Sequence, residues 1–194
     1  MSSDLFKNFK WDFKSDIEIG EKTLKITALP KSDYFINPAD GKKILNAPYY
    51  HVELNHDFTL KAKVSRSFKS TYDACVLMVM SDETCWVKLC FEFTDIGSNA
   101  VVSVVTNGVS DDANGVEIQG NSVYFQIAKK GNLFALHYSS DGNEYKMVRY
   151  FALSMKETFK VGFVAQSPTG EGGDCLFEEI QLNYDTPKDF RKGC

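Results

Sequence analysis

The sequence predicts an all-β protein of two packed sheets, and three observations carry that expectation. Helical periodicity is almost absent. In its place, short alternating runs rich in Val, Ile, Phe, Tyr and Thr recur along the 194 residues, broken by turn residues at intervals of about ten positions. The breaks have hairpin chemistry: Lys130-Gly131-Asn132 and Ser140-Asp141-Gly142-Asn143 supply the positive φ values that tight turns require. So many strands must bury their apolar faces against one another, which makes a two-layer sandwich or a barrel.

In chain order the candidate strands are Thr23–Ala28, Phe58–Val64, Ala74–Met80, Trp86–Phe93 and Ala100–Thr106, followed by Val123–Ala128, Leu133–Ser139, Glu144–Phe151, Phe159–Ala165 and Leu176–Tyr184. Pro30–Tyr50 is the least regular segment. Its Asn37-Pro38-Ala39-Asp40-Gly41 is a strong turn signal, and a long loop laid across one face is expected there. Gln166–Asp174 reads as a second long loop, rich in Gly and Ser, that could border a site.

No linker-like change of composition and no internal repeat divides the chain, so a single domain over 1–194 is expected. The 22 basic and 26 acidic residues give a net charge of −4. No basic run exceeds two residues, which argues against nucleic-acid binding. The opening Met1-Ser2-Ser3-Asp4-Leu5-Phe6 lacks a secretory apolar region, and no stretch is long and apolar enough to span a bilayer. Five cysteines without Cys-x-x-Cys spacing read as reduced, mostly buried thiols. These features point to a cytoplasmic location, with no membrane as partner.

The stretch Tyr72–Phe93 carries the most information. With Ser81-Asp82-Glu83-Thr84 as the turn, Ala74–Met80 and Trp86–Phe93 form a hairpin. Alternation sends Val87, Leu89 and Phe91 to one face and Trp86, Lys88, Cys90 and Glu92 to the other. Pairing Met80 with Cys85 sets Cys75 opposite Cys90 and Asp73 opposite Glu92, and leaves Ala74, Val76 and Met78 with the apolar face. Two opposed carboxylates repel unless a cation intervenes or one keeps its proton, and Lys88 shares their face. This cluster is either a structural ion pair or a ligand site in which Trp86 stacks on a sugar while Asp73, Lys88 and Glu92 hold its hydroxyls.

Further motifs follow in order: Asp33-Tyr34-Phe35-x-Asn37-Pro38, Ala47-Pro48-Tyr49, Val104-Val105-Thr106-Asn107-Gly108, Ser110-Asp111, Tyr138-Ser139-Ser140-Asp141-Gly142, Val161-Gly162 and Ser167-Pro168. Together with Tyr72-Asp73, Trp86-x-Lys88 and Glu92-Phe93, this series resembles a family of unknown function in the concanavalin A-like lectin/glucanase superfamily, often labelled "regulation of enolase protein". The likeness runs from about Asp33 to Tyr184. It implies a jelly-roll β-sandwich of two antiparallel sheets with a concave face, and no established activity. Two departures stand out: Asp112 where the family usually has Trp, and Cys75 where it has a small residue.

A retaining glycosidase using Asp73 and Glu92 would suit two opposed carboxylates about 5 Å apart, but the Glu-x-Asp-x-Glu series of related glucanases is missing. His51, His56 and His137 neighbour no Ser or Cys in a recognised catalytic setting. Cys75 and Cys90 could close a cross-strand disulfide, although two packed thiols fit better. Asp111-Asp112-Ala113-Asn114-Gly115-Val116-Glu117 offers calcium-type oxygens without EF-hand spacing and reads as a solvated acidic loop. Arg149 places one guanidinium on an apolar alternation and marks a sheet edge or joins the polar cluster.

The leading expectation is a binding module without catalysis, metal or cofactor. Its concave face would use Tyr72, Asp73, Trp86, Lys88, Glu92, Ser110, Asp111 and Arg149 to hold a carbohydrate or small polar metabolite. The alternatives are a protein–protein regulatory domain acting on a metabolic enzyme, and the glycosidase-like hydrolase.

Overall fold

The computed structural model describes residues 4–194. Met1–Ser3, part of the stretch read for a secretory signal and of the expected 1–194 domain, lie outside the described residues. After a 3-10 turn at Asp4–Phe6 come β1 (Lys10–Asp12), β2 (Ile17–Ile19), β3 (Leu24–Ala28), β4 (Tyr34–Ile36), β5 (Lys43–Leu45) and β6 (Tyr49–Leu54). The chain continues through β7 (Phe58–Ser65), β8 (Ala74–Asp82), β9 (Cys85–Phe93), β10 (Asn99–Asn107) and β11 (Val109–Glu117). It ends with β12 (Ser122–Lys130), β13 (Leu133–Ser139), β14 (Lys146–Ala152), β15 (Phe159–Gln166) and β16 (Gly173–Asn183).

Two antiparallel seven-stranded sheets pack face to face as a jelly-roll sandwich. Their strand orders are β1-β6-β15-β8-β9-β10-β11 and β14-β13-β12-β7-β16-β3-β2. The alternation read from the sequence is what builds the layer between them. In β7, Phe58, Leu60, Ala62 and Val64 are buried in the core, while Lys61 and Lys63 alternate outward. Phe163 and Phe177 meet across the sheets with ring centroids 5.0 Å apart. Each such fully buried aromatic contributes roughly 1.5–3 kcal/mol over leaving it in water.

The hairpin at the centre of the first sheet differs from its expected register. Met80 pairs with Trp86, Met78 with Lys88, Val76 with Cys90 and Ala74 with Glu92. An irregularity between Met80 and Asp82 accommodates one additional residue, Ser81, and the turn shortens to Glu83-Thr84. The faces of β9 are unaffected, but those of β8 invert, so that Cys75, Leu77 and Val79 enter the core. Val76 and Met78 belong to a second apolar cluster on the outer face. A β-bulge has this effect because side-chain period in a strand is two. Cys75 and Cys90 therefore lie on opposite faces of the sheet, and no disulfide joins them.

The acidic stretch 109–117 is not a loop but the edge strand β11, paired with β10. The segment 30–50 lies across the outer face of the first sheet and contains the hairpin β4–β5. Tyr34 and Ile36 from it, with Ala47 and Tyr49, pack on Met78, Met80, Trp86 and Val104. Backbone bonds between Ser32 and Ser167, 3.1 and 3.2 Å, pin one end. The face opposite the sandwich core is consequently dry beneath that cover, as a sheet covered on both sides must be.

Candidate functional site

Strand parity places the site. Outward from β9 stand Trp86, Lys88, Cys90 and Glu92, and β10 sets Thr106, Val104, Val102 and Ala100 beside them in that order. On β11, Asp112 lies opposite Val104 and Asn114 opposite Val102. Glu92 is flanked by Ala74 and Ala100, whose single methyl groups leave space above the sheet. The β4–β5 hairpin fills the Trp86 end of this face and stops short of the Glu92 end. There a cavity of about 360 Å³ opens, lined by Asp33, Phe35, Tyr72, Lys88, Glu92, Asp95, Val102, Val104, Asp112, Asn114 and Gln166.

Lys88 is 2% exposed, and its ammonium donates to Asp33 Oδ1 and Gln166 Oε1, each at 3.2 Å. Burial disfavours the ammonium, but Asp33, with Glu92 behind it, outweighs this and raises its pKa. Glu92 is 8% exposed and accepts no hydrogen bond from any described residue. Burial pushes its carboxyl up to about 8; Lys88 opposes this, while Asp33, Asp112 and Asp95 add to it. Burial, then Asp95, Glu92 and Asp112, also raises the Tyr72 hydroxyl at the mouth. Tyr72 is held at φ 69°, an unusual conformation for a bulky side chain.

Of the residues expected at a site, Tyr72, Lys88 and Glu92 line the cavity. Trp86 does not. It is fully buried beneath Tyr34, with ring centroids 6.3 Å apart and planes at 74°, so it offers no stacking surface. Asp73 faces away from the cavity. Its carboxylate pairs with Arg66 at 3.2 Å, accepts from Ser167 Oγ at 2.6 Å, and caps the amides of Lys69 and Ser70. Asp73 and Glu92 are not opposed across the hairpin, so they cannot flank one glycosidic bond.

Ser110 accepts from the Ile36 amide at 2.9 Å and shares a hydrogen bond with Thr106, which makes it an anchor for the β4–β5 hairpin. Asp111 points to the side opposite Asp112 and pairs with Arg149 at 3.1 Å, joining the edges of the two sheets outside the cavity. This parity also separates the carboxylates of the supposed calcium loop. Among the described residues, no group of three or more His, Cys, Asp or Glu side chains is placed to hold a metal ion.

Sequence reasoning missed Asp33, Phe35, Asp95, Asn114 and Gln166 as cavity residues. Asp33 and Phe35 arrive from the covering segment, and no local pattern announces that placement. Asp112 was noted as a departure from the resembled family and as part of a solvated acidic loop, not as a cavity residue. Continuing the alternation of β10 onto a paired β11 would have set it beside Val104.

Comparison with known proteins agrees with this architecture. A family described as "Protein of unknown function (DUF1349)" matches residues 11–184. The chain belongs to this family. It is 28% identical over 167 residues to "Regulation of enolase protein 1" of Saccharomyces cerevisiae (strain ATCC 204508 / S288c), a match covering 85% of this chain and 82% of that protein. A crystal structure of a functionally unknown protein from Saccharomyces cerevisiae superposes with a TM-score of 0.87 at 24% identity, covering 94% of this chain and 99% of that one. The carbohydrate binding module CBM66 from Bacillus subtilis gives a TM-score of 0.61 at 10% identity, with 92% and 96% covered. At such identity these two structures speak for the fold alone, a two-sheet β-sandwich. No helix of the described residues is long and apolar enough to cross a membrane.

Proposed function

We propose that the chain is one non-catalytic binding domain whose outer-face cavity takes a small polar ligand of carbohydrate or polyol type. The observation that carries this reading is Glu92: a residue 8% exposed at the base of an open cavity, whose carboxyl has no hydrogen-bond donor among the described residues. Its oxygens are reached from the cavity, so their hydrogen-bond donors come from whatever fills that space. A ligand hydroxyl or ammonium would supply them. The cavity volume of about 360 Å³ lies at the small end of ligand pockets, roughly 300–1,000 Å³. Phe35 and Tyr72 supply apolar walls, and Gln166 and Asn114 supply amides. The fold shared with a carbohydrate binding module is consistent with this reading. The five unpaired cysteines support a reducing, cytoplasmic setting.

Thermal unfolding across a panel of monosaccharides, polyols and small polar metabolites tests it, since a ligand that binds only the folded state raises Tm. Stabilisation by part of the panel, absent from Val104→Phe and Tyr72→Ala variants that remain folded, is expected. A flat response, or one that both variants retain, rejects the site.

A second reading has a specific observation behind it. Val109 and Val116 on β11, with Met147 and Tyr150 on β14, are exposed on the two edge strands, and edges with apolar side chains serve as docking surfaces. With the relative's name, this fits a regulatory domain that binds a metabolic enzyme. Titrating the protein into purified enolase tests it. Unchanged turnover together with no co-migration on size exclusion would remove the reading.

A further inference from the structure

The cavity's charge narrows the class of ligand. Four carboxyl groups line it, from Asp33, Glu92, Asp95 and Asp112, against the single cation of Lys88. That cation is already committed to Asp33 and Gln166 at 3.2 Å each. No arginine lines the cavity, and none of Glu92, Asp95 and Asp112 forms an ion pair among the described residues. Asp95 and Asp112 are exposed at the mouth, whereas Glu92 is 8% exposed at the base with no hydrogen-bond donor among the described residues. A phosphate or carboxylate entering here would meet like charge with no free counter-ion. The desolvated walls would strengthen that repulsion, as they would strengthen attraction for a cation.

We propose that the cavity selects a protonated amine borne on a small hydroxylated skeleton, its ammonium facing Glu92, Asp95 and Asp112 and its hydroxyls facing Gln166 and Asn114. This deepens the reading above and rests on it. An ammonium carries three donors, and the carboxylates around the cavity draw it by their joint field rather than by converging on one point. Its arrival replaces the proton on Glu92. The groups facing that carboxyl are Lys88 and Cys90 on its own strand, Asp33 from the covering segment, Asp95 from the β9–β10 turn, Asp112 from β11 and Tyr72 before β8. Amine binding near neutrality therefore releases a proton, and binding of the neutral analogue does not.

Isothermal titration with matched pairs tests the proposal: D-glucosamine against D-glucose, and 1-amino-1-deoxysorbitol against sorbitol, with glucose 6-phosphate as the anionic probe. The amine of each pair should bind at least tenfold tighter at pH 7. Its heat should vary with buffer ionisation enthalpy, and Asp95→Asn/Asp112→Asn should abolish most of the ratio while Arg149→Ala, outside the cavity, retains it. Equal or tighter binding of the neutral partner, or binding of the phosphate, overturns the amine assignment and leaves the polar-ligand site standing. No binding by any probe at tens of millimolar, in protein shown to be folded, overturns both.

Discussion

Lys88 and Glu92 share one face of β9, and the described residues satisfy only one of them: the ammonium is bonded to Asp33 and Gln166 at 3.2 Å, while the carboxyl receives no hydrogen bond from any of them. Four residues apart on a strand, their Cα atoms are separated by roughly 13 Å, so the two groups do not pair directly. Here the lysine is turned towards the covering segment, and Glu92 is left facing the cavity.

That arrangement sets a pH dependence of stability. The Glu92 carboxyl is raised from 4.5 to about 8 by burial, so the folded state holds a proton that the unfolded chain releases. Its contribution is complete below pH 4.5 and is lost as pH rises towards 8. At about 1.4 kcal/mol per pH unit, the effect amounts to a few kcal/mol. Glu92→Gln should therefore match the wild type near pH 4.5 and exceed it by roughly 2–4 kcal/mol at pH 9. Urea unfolding at the two pH values reads the difference, and a gain that does not change with pH would contradict the assignment.

The Arg66–Asp73 pair is a different kind of charge cluster. Both side chains are 1% exposed, and Arg66 also donates to the carbonyls of Ala74, Gln166 and Gly172. Arg66→Met leaves the buried Asp73 carboxylate without its counter-ion and several carbonyls without this donor, at a cost of about 3–5 kcal/mol. Denaturant midpoints measure this, and a loss below about 1 kcal/mol would return the pair to the weak surface class.

Tyr72 exchanges backbone comfort for position. At φ 69° a non-glycine residue is strained by about 1–2 kcal/mol, and the side chain is 38% exposed at the cavity mouth. Tyr72→Gly should leave stability unchanged or raise it by up to about 1 kcal/mol, while weakening whatever ligand the wild type binds. Paired thermal and binding measurements test this, and a clear loss of stability would show the ring to be a packing residue.

Thiol reactivity follows from the two faces of β8 and β9. Cys75, Cys90 and Cys175 are fully buried, Cys85 is partly covered, and Cys194 is exposed. Burial raises the Cys75 and Cys90 thiols well above their usual range, so neither forms the reactive thiolate. An aromatic disulfide reagent should label Cys194 fast, Cys85 slowly, and the other three only after unfolding. Rapid labelling of Cys90 would mean that the β4–β5 cover opens readily.

The residues that made the fold legible are those whose meaning is local. Leu24, Ile26 and Ala28 alternate into the core as their pattern demands, and Ser140–Asn143 lies between β13 and β14 because Asp141 accepts from the amides of Asn143 and Glu144. The register of β8 was not legible, because Ser81 is an ordinary residue before an ordinary turn and nothing local marks a bulge there. Trp86 was misread for a related reason. Parity assigned it correctly to the face opposite Phe91, but what covers that face comes from residues roughly fifty positions away, around Tyr34. Asp112 looked like part of a solvated loop because β11 carries almost no buried side chains. Its strand character comes from pairing with β10, not from its own composition.

Methyl-resolved NMR of Val102 and Val104 tests the central claim most directly, since both side chains line the cavity beside Glu92. Titration with hydroxylated probes, aminated and neutral, should move these two methyl groups saturably and leave Val161 and Val64 in the sandwich core still. Unmoved Val102 and Val104 with a probe bound elsewhere, or no saturable shift with any probe, would contradict the account.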